Sequence, residues 1–340
     1  MNISFATAAD CEQLLDFLPA VFRRGNPDHC RFEELFPDIF LPTDEAMGDH
    51  AVVRDGDGRI VACVGAYPMT LRVAGCDVPG AGIGQVSTAK DWLGKGCMSA
   101  LLKAQMERLR SLGVALVWLG GRHDRYAHFG FETGSLALNY GFDAHSLGKV
   151  ARAREVRRFS HGPMAEGAVT PAMFDLLVRT SPAFVVEPLE RFRPRLRRNA
   201  NEVWTATPPG ASEPDAWAVV SPKTHRVDLF CGSTDGLFEI FAAATAAFGA
   251  FVQITLPLCD ASRELAERAR AACAWMGPRS ESLAVLDRDR LIEAYAPLIR
   301  PGTRLPSKEL SSAELVRACF GPEPSAFPPL PFALPDLYHV

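Results

Sequence analysis

Residues 91–102 read Asp-Trp-Leu-Gly-Lys-Gly-Cys-Met-Ser-Ala-Leu-Leu, with Gly94 and Gly96 on either side of Lys95. Before them, residues 81–88 have the small and apolar character of a strand. After them, Met98, Leu101, Leu102, Met106, Leu109 and Leu112 recur three or four apart, the period of a helix. Gly113 follows where a helix takes its C′ glycine. Glycines between a strand and a helix N-terminus leave free backbone N–H groups at the positive end of the helix dipole, and that combination binds phosphate oxygens. Leu93, Gly94, Lys95, Gly96, Cys97 and Met98 are therefore the candidate phosphate-binding run, with Lys95 adding charge. A tight turn of purely structural purpose would share the same spacing.

A second strand over residues 114–119 comes next, then Arg122-His-Asp-Arg-Tyr126-Ala-His-Phe-Gly130-Phe131. The order strand, Gly-Lys-Gly loop, helix, strand, Tyr-x-x-x-Gly-Phe resembles the core of the GNAT superfamily of acyl-CoA-dependent N-acetyltransferases. The superfamily's loop pattern is Arg/Gln-x-x-Gly-x-Gly/Ala. Aligned to it, Leu93 stands at the Arg/Gln position, Gly96 at the first glycine and Met98 at the last small residue, so two of three signature positions depart. A bulky apolar residue at the last position is a feature of the "enhanced intracellular survival" branch. Chains of that branch also have a long hairpin before the loop, as over residues 67–84 here, and a second, degenerate GNAT-like domain. The resemblance is good over residues 1–145, weaker over 146–300 and slight at the C-terminus.

The resemblance implies a mixed α/β, three-layer αβα fold: a GNAT domain over residues 1–145, a degenerate GNAT-like domain over 146–300 and a proline-rich tail over 301–340. It implies acetyl-CoA as co-substrate, with no metal. Val86, Ser87 and Thr88 would pair their backbone with the pantetheine amides, and the thioester would lie where this strand and residues 114–119 splay apart.

Acetyl transfer to an amine needs a held thioester, a neutral amine and a proton for the leaving thiolate. A phenol with pKa about 10 can protonate a thiolate whose acid has pKa about 8.5, which makes Tyr126 the candidate general acid. The base is harder to place, because residues 81–88 contain no carboxylate, and Gln85 and Ser87 are not bases near neutral pH. His29, Glu33, Glu34, His123, His128 and the chain end are the alternatives. In the branch named above the C-terminal carboxylate acts as base, so the resemblance points to Val340, with Asp336 and His339 beside it.

The length of 340 residues suits two domains with sizeable cores. A net charge of −4 gives no footprint of a nucleic-acid binder, and no apolar run approaches the length of a membrane span. The N-terminus lacks the basic and apolar regions of a signal peptide. Nine cysteines without a Cys-x-x-Cys pair argue for a reducing, cytoplasmic setting.

Along the chain, residues 3–7 read as a strand, and a helix follows to about residue 24 with Asp10 as its N-cap. Phe32, Phe36 and Phe40 form an aromatic stripe, read as core packing that in part walls the acceptor pocket. Residues 50–54 and 59–67 form a hairpin about Asp55-Gly-Asp-Gly58. Pro79-Gly80 is expected to break the next strand. Gly80-x-Gly82-x-Gly84 superficially matches a dinucleotide loop but precedes a strand, so that reading fails. In the second half, strands over 216–220, 226–231, 251–256 and 282–286 and helices over 237–248, 261–274 and 288–299 repeat the first domain's order. Its loop, 232–236, places Asp235 where a phosphate would sit, and no acyl-CoA is expected there. Arg191, Arg193, Arg195, Arg197 and Arg198 read as a solvated charged face or, alternatively, as a binding surface for an acidic group or the partner domain. The prolines of the last 40 residues exclude a helix and leave an extended or loose tail.

The sequence thus points to an N-acetyltransferase that uses direct attack in a ternary complex, with a small-molecule or protein amine as acceptor and self-association as a family expectation. A non-catalytic acyl-CoA sensor or scaffold is the alternative, motivated by Leu93, Met98 and the missing strand carboxylate. Acyl or aminoacyl transfer in thiol or cell-wall precursor synthesis is a third.

Overall fold

In the strand His50–Arg54, Val52 turns to one side of the sheet while Ala51 and Val53 turn to the other, and each side is covered by different helices. This two-residue alternation on both faces makes the layers. The computed structural model describes residues 2–22, 31–148, 155–159, 163–321, 327 and 329–340.

The first half contributes strands β1 (Ile3–Phe5), β2 (His50–Arg54), β3 (Ile60–Val73), β4 (Cys76–Thr88), β5 (Leu116–Leu119) and β6 (Glu132–Phe142). Its helices are α1 (Cys11–Phe22), α2 (Phe32–Leu35), α3 (Asp44–Met47), α4 (Cys97–Ser111), α5 (His123–Tyr126) and α6 (Ala144–Leu147). The second half contributes β7 (Glu155–Phe159), β8 (Ala183–Val185), β9 (Glu202–Thr207), β10 (Ala216–Ser221), β11 (Arg226–Gly232), β12 (Val252–Pro257) and β13 (Trp275–Val285). Helices α7 (Pro163–Ala168), α8 (Pro171–Thr180), α9 (Leu189–Arg195), α10 (Thr234–Phe248), α11 (Arg263–Ala272), α12 (Arg288–Ala294) and α13 (Ser312–Phe320) go with them. The fold is mixed α/β, and among the described residues no helix is long and apolar enough to cross a membrane.

The strands form one continuous sheet in the order β1-β2-β3-β4-β5-β13-β6-β12-β11-β10-β9-β7, with β8 beside β3. Its middle is a strand exchange. β4 and β5 are parallel and flank α4, and β11 and β12 are parallel and flank α10. The strand after each parallel pair crosses to the other half: β13 pairs with β5, β6 pairs with β12, and β6 and β13 pair with each other.

Several sequence expectations are corrected. The strand is not broken at Pro79-Gly80: β4 runs unbroken from Cys76 to Thr88. Pro79 turns its carbonyl toward the Ala115 N–H (2.8 Å), so its missing N–H falls on the side where β5 has not yet begun and no ladder bond is lost. Asp10 is the third residue of a capping box whose cap is Thr7. The C-terminal 40 residues do contain a helix, α13, started by a Ser311–Glu314 capping box in the proline-free stretch between Pro306 and Pro322. Pro322, Pro324 and Pro328 lie outside the described residues. The arginine run divides: Arg191 and Arg197 are exposed, whereas Arg198 is buried and Arg195 nearly so, each held by an acidic residue.

Candidate active site

β4 loses its partner where the site begins. The β4–β5 pairing ends at Ile83–Leu119, while the β3–β4 register slips between Cys63 and Gly65. The slip is a bulge at Gln85, which adopts a left-handed backbone (φ 51°). Beyond it Val86, Ser87 and Thr88 leave the β5 side of the sheet open.

A buried chain of polar groups holds the bulge. The Tyr67 hydroxyl contacts the Gln85 carboxamide on one side and His50 Nε2 on the other, at 2.9 Å, and His50 Nδ1 faces the Met47 carbonyl at 3.2 Å. Burial lowers the His50 pKa to about 4, so the ring is neutral near pH 7. A neutral ring facing a carbonyl carries its proton on Nδ1, so Nε2 accepts from the Tyr67 O–H. The Gln85 carboxamide then donates an N–H to the phenol oxygen, its two ends being interchangeable by a half-turn.

On the open side of β4 lies a groove of about 560 Å³. Val86, Ser87, Thr88, Leu93, Gly94, Gly96, Cys97 and Met98 all line it. Gly96 is the N-cap of α4 at φ 78° and Gly94 has φ 76°, both left-handed positions natural to glycine. Having no side chain, Gly96 makes no capping bond to the first turn of α4. The corresponding end of α10 is closed: Ser233 caps the Gly236 N–H (3.0 Å) and itself donates to Asp215 (2.7 Å), while Asp235 pairs with Arg268. The Ser87 hydroxyl is buried against the groove with no partner, the mark of a group that meets a ligand. The chemistry of this lining fits an acyl-CoA: helix N–H groups for phosphates and an open strand edge for amides. Lys95 is not among the lining residues, and its ammonium lies 4.4 Å from the centre of the Trp92 ring. Leu93 is 61% exposed.

A second cleft of about 700 Å³ lies between residues 37–49, the 67–69 stretch of β3 and residues 185–198. Val340 lines it. Gly80, Gly82 and Gly84 alternate along β4 and so present one bare face. The Trp118 ring covers Gly80, and Val340 covers the other two. A Cβ at Gly82 would come within 2.6 Å of Val340 Cγ2, and one at Gly84 within 2.7 Å of the terminal carbonyl carbon. The terminal carboxyl thus rests on β4 one residue before the bulge, between the cleft and the sheet opening.

The last residues lie extended across both halves of the sheet. Tyr295 Oη donates to the Pro331 carbonyl (2.8 Å), Ser135 Oγ to that of Phe332 (2.9 Å), and Arg226 and Arg279 pair with Asp336. Arg279 also reaches His339 Nε2 at 3.1 Å. Burial lowers the His339 pKa despite Glu281 and Asp336 nearby.

Tyr126 is buried, with its ring packed against Phe131 (6.1 Å, edge-on) and close over Gly121, and it lines neither cavity. Desolvation raises its pKa above the usual phenol value, with Arg125 opposing, so the group stays protonated near neutrality. His123 pairs with Glu132 (3.1 Å), the His128 ring packs on Phe129, and Glu33 pairs with Arg31. None of the three lines either cavity, nor does Glu34; His29 lies outside the described residues. Sequence reasoning missed Arg125, which lines the donor groove and places a guanidinium where the Leu93 position lacks one. Arg195 and Arg198 it offered as ligands of an acidic group only in the second reading of the arginine run. Its only hint to them was the density of arginines after a helix start.

Residues 2–134 match the family model described as an acetyltransferase (GNAT) domain. No curated protein matches the chain. A probable N-acyltransferase from Enterococcus faecalis superposes with TM-score 0.62 at 13% identity, over 86% of this chain and 75% of that one. A GCN5-related N-acetyltransferase from Kribbella flavida gives 0.62 at 21% identity, over 86% and 74%. Eis1 from Mycobacterium abscessus gives 0.53 at 16% identity, over 84% and 74%. At these identities the likeness is one of fold. The match includes the loop at the start of α4, so the first part of this chain is similar to a GNAT acetyltransferase domain.

Proposed function

We propose that the protein transfers an acetyl group from acetyl-CoA to an amine by direct attack within a ternary complex, and that the second half is a degenerate copy of the first with no donor site. The observation that carries this reading is the position of the chain end on β4, the strand that also borders the donor groove. The donor groove reaches Val86, and the Val340 carboxyl rests on Gly84 at the head of the other cleft.

In this reading the first turn of α4, Gly94, Gly96 and Arg125 hold the phosphates, and Val86, Ser87 and Thr88 hold the pantetheine arm. The Val340 carboxylate takes the proton from the amine as its nitrogen forms a bond to the thioester carbonyl carbon. The C–S bond breaks, and Tyr126 supplies the proton that converts the thiolate to thiol. The products are an amide and free CoA thiol, and solvent returns the proton from Val340 to Tyr126.

A non-catalytic acyl-CoA sensor is the second reading, favoured by the exposed Leu93, which offers the phosphates no polar contact. Titration calorimetry with acetyl-CoA, followed by thiol release over an amine panel, separates the two. Binding that Arg125→Glu and Gly96→Glu weaken, with amine-dependent thiol release, supports the transferase. Binding with no release under any amine supports the sensor, and no binding at all rejects both.

A further inference from the structure

We infer that the acceptor is a compact amphipathic monoamine, an alkyl or arylalkyl body carrying one amino group, and not a polycation. This deepens the acetyltransferase reading and rests on it. The evidence is how the charges of the second cleft are already spent. Asp38 is bound by Arg198 through two bonds of 2.6 Å and by Arg195 at 2.9 Å. Glu187 is bound by Arg195 at 2.8 Å, Glu45 by Arg191 at 2.5 Å and Asp49 by Arg108 at 2.6 Å. Four of the five carboxylate side chains that line the cleft among the described residues therefore hold an arginine each, or share one. The fifth, Glu190, is exposed at the rim, where water screens it.

A polycation needs several carboxylates free to receive it, and here, apart from the exposed Glu45–Arg191 pair, it would have to displace arginines from partly buried pairs. Two of those arginines, Arg195 and Arg198, are among the more enclosed in the molecule. Beside Thr43, Tyr67 and an Arg197 that pairs with Glu166, the remainder of the wall is apolar, with Ile39, Leu41, Pro68, Met69, Val185 and Val186. Leu41 and Val186 are 45% and 39% exposed, an uncovered apolar pair on a cleft of a size usual for small ligands. One anionic group stands at the inner end, the Val340 carboxylate, beside the sheet opening. A single amino group directed at it, with an apolar body against Leu41 and Val186, satisfies the whole lining.

The test is kcat/KM, by thiol release from acetyl-CoA, for linear alkylamines of increasing length, phenethylamine, spermine and kanamycin. Each buried methylene contributes about 0.8 kcal/mol, so kcat/KM should rise about fourfold per methylene until the cleft is filled. Phenethylamine should exceed spermine and kanamycin by at least about tenfold. In the Leu41→Asp/Val186→Asp double variant, both changes being at exposed positions, the rise with chain length should flatten while acetyl-CoA binding is unchanged. A flat alkylamine series, or spermine or kanamycin preferred, overturns the inference and leaves the transferase reading standing. Acetyl-CoA binding without thiol release from any amine overturns both.

Discussion

Arg198 grips the Asp38 carboxylate with two nitrogens, Nε and Nη2, each at 2.6 Å, and with its third nitrogen donates to the carbonyls of Leu337 and His339 at 3.0 and 3.1 Å. One buried guanidinium therefore joins the wall of the second cleft to the chain end that carries Val340, and its flat face lies over Phe36 (5.3 Å). Burial by itself would raise the Asp38 pKa, but the charge and hydrogen bonds of Arg198, with Arg195, outweigh it and hold it below the ordinary carboxylate value. The fork geometry suits arginine and not lysine.

Removing one partner of a buried ion pair costs about 3–5 kcal/mol, and Arg195, which also holds Asp38, keeps the loss toward the low end here. Arg198→Met should lose stability of that order in urea titration. It should also free the tail, with raised protease sensitivity near residue 335 and reduced turnover. Arg198→Lys should recover only part of either. A variant as stable as the parent would mean that Asp38 finds another partner in its absence.

Gly84→Ala places a methyl group where the terminal carbonyl now lies. Turnover should fall about tenfold or more, the low end of what a displaced general base costs, while acetyl-CoA affinity stays within twofold of roughly its original value. Deleting Val340 alone should act in the same direction. Unchanged turnover in both variants would remove the terminal carboxylate from the mechanism.

Tyr126→Phe keeps the ring on Phe131 and removes the proton. Turnover should drop by about a hundredfold if the phenol is the general acid, with acetyl-CoA binding by calorimetry intact. Because Tyr126 lines neither cavity, full activity in this variant would assign it to packing under Gly121.

The His50 pKa of about 4 lies below the 6.5 of an unburied imidazole. Between those values the unfolded chain binds a proton that the folded chain refuses. The stability it contributes is complete above pH 6.5 and is lost as pH falls toward 4, by up to about 1.4 kcal/mol per pH unit. Urea titrations at pH 7 and pH 5 should show the loss. His50→Gln should be less stable at pH 7 but lose less between the two pH values. An equal loss in both proteins would place the acid sensitivity elsewhere.

What the sequence determined by itself was local. Gly94 and Gly96 between apolar β4 and the helical spacing of α4 specify strand, loop and helix, because glycine at left-handed backbone positions and a three-to-four apolar period leave little else. Tyr126 and Gly130-Phe131 then allowed the GNAT resemblance to be stated, and the family match over residues 2–134 agrees with it. Strands β10, β11 and β12 and helices α10 and α11 of the second half were likewise legible from their own periodicity.

The tertiary structure decided what depends on contacts distant in the chain. The exchange of β6 and β13 leaves no local trace, since a strand's own alternation does not say which neighbour it will pair with. Gly80, Gly82 and Gly84 looked like a failed nucleotide motif until Trp118 and Val340, from elsewhere in the chain, were seen to occupy the space their missing side chains leave. Arg195 and Arg198 looked like solvated charge because Asp38, 160 positions from Arg198, is invisible in a local reading. Charge buried by distant partners and space reserved for a distant segment are properties of the assembled chain, and the second cleft is built from both.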